Sequence, residues 1–263
     1  MNRSLLPSLL FVLASPAWAA MVSQAVPYEI DGKAFEGALV YDDSVKTPRP
    51  GLLMVPNWLG VSPAAVEQAK EIAGQRYVIF IADMYGKDIR PANPDEAKAA
   101  ATAVRSDRPL MRKRAQAGVD VLKTQGEKVP LDLASLGAIG FCFGGGSVLE
   151  LARSGAPLKG FVSFHGNLDT PNPADARNIR APVLVLHGAD DPAVPKAQVD
   201  AFTAEMTAAN VDWQLVNYGG AVHSFTERGA NVPGRNEYHP KVAARAYRAM
   251  NHLFDEVFTG AKQ

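Results

Sequence analysis

The chain has 263 residues, 47% of them apolar and 21% charged, a profile that fits one folded α/β domain and excludes disordered or collagen-like chains. Lysine plus arginine and aspartate plus glutamate number 27 each, and no basic stripe breaks that balance. No field gathers nucleic acid or an anionic membrane, so neither is expected as a partner. A single cysteine, Cys142, excludes an intramolecular disulfide and a cysteine-rich metal site.

In chain order, Arg3 precedes an apolar stretch from Leu5 to Ala14, and Ala17-Trp18-Ala19 is a small-x-small site before Ala20. This pattern predicts a signal peptide over residues 1–19, export of the protein, most simply to a periplasm, and a mature chain 20–263 forming one domain. No later segment reaches about 18 uninterrupted apolar residues, so a mature chain free of the membrane, and monomeric, is expected.

Tyr28–Ile30 and Ala34–Tyr41 flank Asp31-Gly32-Lys33, a turn of the Asp-Gly type that favours a hairpin. Short apolar runs follow at Gly51–Pro56, Tyr77–Ala82, Leu136–Phe141, Gly160–Phe164, Val183–Leu186 and Trp213–Tyr218. Runs without strict alternation are what strands buried on both faces require. Helices are predicted between and after them at Pro63–Ala73, Asp95–Thr124, Gly144–Ala152, Lys196–Ala209 and His239–Phe258, with Ser62 placed to cap the first. The alternation predicts an α/β fold with a mainly parallel central sheet and helices on both faces.

Gly140-Phe141-Cys142-Phe143-Gly144-Gly145-Gly146 lies between a predicted strand and a predicted helix. This is the nucleophile-elbow pattern, with cysteine in place of serine. The chain must reverse within a few atoms there, and glycines on either side leave room for neighbouring backbone. The turn also sets the sulfur at a helix N-terminus, where free N–H groups and the dipole favour the thiolate. A buried structural cysteine in a tight turn would use the same glycines.

A thiol nucleophile needs a base and a group to orient it. The Val183–Leu186 strand runs into His187-Gly188-Ala189-Asp190-Asp191-Pro192, and Trp213–Tyr218 into Gly219-Gly220-Ala221-Val222-His223. Nucleophile, acid and base then follow the chain order of α/β-hydrolases, each just past the C-terminal end of a strand. His165 and His187 each precede a glycine at a strand end, where hydrogen bonding to a loop is expected; His239 and His252 belong to the last helix. Between Asp190 and Asp191 the spacing does not choose.

Three segments, Gly-Phe-Cys-Phe-Gly-Gly-Gly around Cys142, His187-Gly188-x-x-Asp191-x-x-Val194-Pro195 and His223-Ser224-Phe225, resemble the dienelactone hydrolase family of cysteine-dependent α/β-hydrolases. The likeness runs from about Gly51 to Phe258, with triad separations of 49 (191 − 142) and 32 (223 − 191) residues. It implies an α/β-hydrolase fold, a Cys142–His223–Asp191 triad that selects Asp191 over Asp190, and an oxyanion hole made by the backbone N–H groups of Phe143 and Trp58. It also implies hydrolysis of a small-molecule carboxylic ester or lactone through an acyl-thioester, with no metal or organic cofactor. A non-catalytic exported binding protein on the same fold, or an acyltransferase using the same triad, are the competing readings.

The chain departs from the family at the substrate positions. Asn57 stands where the family has a glutamate that holds the resting thiol; Asn57 can hydrogen-bond there but carries no charge. Lys87 and Glu227 stand where the family's arginines hold a substrate carboxylate, with Arg228 shifted by one residue. Asn57, Lys87 and Arg228 are therefore the candidate substrate-binding residues, and Glu227 is expected to repel an anion.

Overall fold

A computed structural model describes residues 21–260. The segment read as a signal peptide lies outside the described residues.

The first strands, β1 (Met21–Ile30) and β2 (Lys33–Asp42), form the expected hairpin. Ile30 pairs with Lys33, so the turn is the two-residue loop Asp31-Gly32, with φ of 51° and 73°. Positive φ at both positions suits Asp-Gly, because glycine has no Cβ and aspartate tolerates the left-handed region. β1 starts seven residues earlier than the apolar pattern indicates (28 − 21), because its exposed edge carries polar residues and Pro27. Proline, lacking an N–H, fits an edge strand.

Strands β3 (Arg49–Val55), β4 (Val78–Ile81), β5 (Leu131–Phe141), β6 (Phe161–Phe164), β7 (Val183–Gly188) and β8 (Trp213–Tyr218) complete an eight-stranded sheet. Its order is β1-β2-β4-β3-β5-β6-β7-β8; the hairpin joins β4 antiparallel, and every later pairing is parallel.

Helices α1 (Pro63–Ala73) and α6 (Pro240–Thr259) cover one face; α2 (Pro94–Arg105), α3 (Arg108–Thr124), α4 (Phe143–Arg153) and α5 (Lys196–Ala208) cover the other. The pleat divides each strand between two cores. Leu53, Val55, Val78 and Phe80 pack toward α3 and α4, while Leu52, Met54, Ile79 and Ile81 pack toward α1 and α6. This double burial is why the strand segments read as unbroken apolar runs.

The expected helix over Asp95–Thr124 is two helices, broken at Ser106-Asp107. Asp107 accepts the Leu110 N–H at 2.9 Å and Pro109 lies in the first turn of α3, a cap and proline pair that starts a new helix where amphipathic periodicity alone shows a continuous one. Ser62 caps α1 as expected, accepting from the Ala65 N–H at 3.2 Å. A short hairpin, β9 (Asn231–Val232) with β10 (Asn236–Glu237), escaped the sequence reading because two-residue strands leave no periodic signal. Among the described residues no helix is long and apolar enough to cross a membrane.

Candidate active site

Cys142 joins β5 directly to α4, with φ 52° and ψ −119°. A non-glycine residue there is strained by about 1–3 kcal/mol, and the surroundings must hold it. They do so by crowding. A Cβ on Gly140 would lie 2.1 Å from the Gly144 carbonyl oxygen, and one on Gly144 would lie 2.0 Å from that of Val55. The Cys142 N–H donates to Phe164 O at 3.0 Å, which ties the elbow to β6.

Helix α4 is buried on every side, including its two charged residues Glu150 and Arg153. Arg153 donates to both carboxylate oxygens of Glu205 on α5, at 2.7 and 2.8 Å, and to Glu150 at 3.1 Å; Arg112 on α3 donates to the other oxygen of Glu150 at 2.8 Å. These pairings let the helix behind the elbow be charged and still enclosed.

The loop after β7 presents Asp191, and the loop after β8 presents His223. His223 Nδ1 and Asp191 Oδ2 are 2.8 Å apart, and the second Asp191 oxygen accepts the Ala193 N–H at 2.8 Å. Asp190 turns away and accepts from the Gly220 N–H at 3.1 Å, which fastens the two loops together. The geometry thus separates two aspartates that spacing left equivalent. Burial pushes the His223 pKa down, but hydrogen bonds to Asp191 and Cys142 outweigh it and raise the value to about 10.

His165, at φ 38°, is fully buried, with Nε2 2.7 Å from the Thr226 hydroxyl and its ring 5.3 Å from that of His223. It packs behind the site, as does buried His187; burial first, and then the neighbouring His223, lowers the pKa of His165.

The loop after β3 is folded on its own polar groups. Asn57 Oδ1 accepts the Leu59 N–H at 3.0 Å, Asn57 O accepts the Gly60 N–H at 2.9 Å, and the Tyr85 hydroxyl donates to Trp58 O at 2.9 Å. Asn57 thus shapes the loop that carries Trp58. Phe143 is the first residue of α4, so its N–H has no intrahelical acceptor.

Cys142, His223, Trp58, Ser224 and Glu227 line one cavity of about 570 Å³, with Pro192, Ala193, the exposed Gly234-Arg235 turn of the β9–β10 hairpin and Asn236 at its rim. That hairpin is fixed to the histidine loop, because the Glu237 N–H donates to His223 O at 3.0 Å. Lys87 and Arg228 are not brought to this cavity. Lys87 reaches Glu36 at 3.7 Å, and exposed Arg228 pairs with Glu71 at 2.9 Å beside a neighbouring groove. The cation at the rim is Arg235 instead, which has no carboxylate partner among the described residues. Sequence reasoning missed this residue, since one arginine between Gly234 and Asn236 carries no signal of its own. Among the described residues no three His, Cys, Asp or Glu side chains are grouped for a metal ion.

Residues 35–258 match the model of the dienelactone hydrolase family. The solved structure named m3DLH superposes with a TM-score of 0.84 at 38% identity, covering 90% of this chain and 99% of its own. The dienelactone hydrolase-like promiscuous phosphotriesterase P91, from metagenomic libraries, superposes equally well (TM-score 0.84, 37% identity, 90% and 99% covered). An uncharacterised Caenorhabditis elegans protein is 35% identical over 155 residues, 56% of this chain and 94% of its own length. A structure of Pyrococcus horikoshii acylaminoacyl peptidase, at 12% identity and a TM-score of 0.68, shares the α/β-hydrolase fold.

Proposed function

We propose, from the premise that this chain belongs to the dienelactone hydrolase family, that it hydrolyses a carboxylic ester or lactone with Cys142 as nucleophile, His223 as acid and base, and Asp191 as the group that orients His223. One observation carries the reading. A strained cysteine at a strand-to-helix elbow shares a cavity with a histidine whose other side is held by a buried carboxylate at 2.8 Å.

Cys142 sulfur, as thiolate beside the His223 imidazolium, attacks the carbonyl carbon. The Phe143 and Trp58 N–H groups receive the oxyanion, and donors of this kind typically lower a barrier by about 3 kcal/mol each. The tetrahedral adduct collapses to a thioester as the alkoxide leaves with the His223 proton. Neutral His223 then takes a proton from water, hydroxide adds to the thioester, and the acid departs as the thiolate and imidazolium reform. Asp191 keeps one tautomer and stabilises the cation throughout. For a lactone the alkoxide stays tethered to the acyl group, so the product is a single hydroxy acid.

The test compares hydrolysis of short p-nitrophenyl esters by the wild type and Cys142→Ala, with iodoacetamide labelling mapped in parallel. Activity lost in the variant, with rapid labelling at Cys142, supports the acyl-thioester route. An inactive wild type whose thiol resists labelling would return the chain to the binding-protein reading. Added alcohol or amine acceptors that divert the acyl group from water would move it to the acyltransferase reading.

A further inference from the structure

Glu227 is a carboxylate in the cavity that this mechanism leaves unused. Its side chain lines the same cavity as Cys142 and His223, yet its Oε1 is buried and has no hydrogen-bond partner among the described residues. The residue is locked in place from the backbone, its N–H donating to Ser224 O at 2.9 Å one turn after His223. A buried acceptor left unmatched costs about 1–3 kcal/mol, more when charged, and a donor brought by the ligand removes that cost.

We propose that Glu227 is a specificity residue that selects substrates bearing a hydrogen-bond donor, ammonium before hydroxyl, beside the scissile ester or lactone, and disfavours a carboxylate there; this rests on the ester or lactone hydrolysis proposed above. Arg235, the rim cation, does not reverse the preference. It is exposed and its charge is screened by solvent, whereas the Glu227 carboxyl acts inside the cavity where screening is weak. Burial raises the Glu227 pKa against smaller opposing pulls from Asn57, His223 and Ser224, and a bound cation works in the same direction as those pulls.

The probes are γ-butyrolactone, its α-amino and α-hydroxy derivatives, and 5-oxotetrahydrofuran-2-carboxylate, hydrolysed in a pH-stat where the amine is protonated. In the wild type, kcat/KM is expected to fall in the order amino, hydroxy, unsubstituted, carboxylate, with at least about ten-fold between the ends. In Glu227→Gln, which keeps an amide able to meet Asn57 and Ser224, the amino-to-carboxylate ratio should shrink at least about ten-fold, chiefly through KM. The wild-type order, taken relative to hydroxide-catalysed hydrolysis of the same four lactones, needs no variant to fold. Hydrolysis of p-nitrophenyl acetate is followed alongside, and its absence from the wild type would defeat the hydrolase reading itself. With that activity present, a wild type that ignores the donors or prefers the carboxylate, or a ratio unmoved in Glu227→Gln, overturns the role of Glu227.

Discussion

The His223 imidazole is under two opposed influences, and their balance sets a measurable pH limit. Burial favours the neutral ring, while Asp191 at 2.8 Å and the neighbouring Cys142 favour the cation strongly enough to raise its pKa to about 10. The imidazolium is therefore present below about pH 10 and lost above it. The profile of kcat/KM against pH for a neutral ester should keep its alkaline limb near that value, and Asp191→Asn should move the limb toward acid while lowering the rate. A limb that stays in place in Asp191→Asn would show that the carboxylate does not control the ring. The same pairing predicts that iodoacetamide alkylates Cys142 without substrate, at least about ten times faster than in His223→Ala. At this scale much was legible in the sequence, because an elbow and two loop-borne partners each leave a short local pattern. Lys87, Arg228 and Arg235 were not legible, because a loop cation's direction depends on which acid it meets: Glu36 and Glu71 draw the first two elsewhere, while Arg235 meets none.

At the scale of elements, α4 decides whether the elbow holds its shape, and the two charges that α4 itself carries, Glu150 and Arg153, are buried. Arg153 is 1% exposed and depends on Glu205 and Glu150 for compensation. Glu205→Leu removes the two-pronged partner and leaves a buried guanidinium with one shared carboxylate, a change expected to cost about 3 kcal/mol in urea unfolding. A loss under about 1 kcal/mol would mean that Glu150 and Leu168 O, which also accept from Arg153, suffice on their own. The sequence could not announce this network, since its members come from α3, α4 and α5 and only the 150/153 pair is local. The break between α2 and α3 differs in kind. Asp107 and Pro109 do write a helix start, but one that the apolar periodicity running across it outweighs. Strand positions were readable for the opposite reason, since burial on both faces leaves a run of apolar residues that needs no partner to be recognised.

Across the whole molecule the loops that carry the candidate site gather at the C-terminal ends of β3, β5, β7 and β8, and enclosing them places ionisable rings inside the protein. His165 is fully buried, and burial, with His223 nearby, lowers its pKa; burial likewise lowers that of His187, against the attraction of Asp191. Both rings are thus neutral in the folded chain at a pH where the unfolded chain, with an ordinary histidine value near 6.5, already binds protons. With more protons on the unfolded side, folding stability falls as pH drops below about 6.5, at up to about 1.4 kcal/mol per pH unit for each ring. The loss ends only when the folded rings themselves protonate. Structural carboxylates with lowered values, such as Asp169, enter later, at the more acidic end. Urea unfolding at half-unit steps from pH 7.5 to 5 should therefore show stability declining before ordinary carboxylates begin to titrate, and replacing His165 with glutamine should flatten that decline even if it lowers stability overall. A wild-type curve level across this interval would mean that the fold accommodates charge on both rings, and that the wall behind His223 is more open to protons than its burial implies.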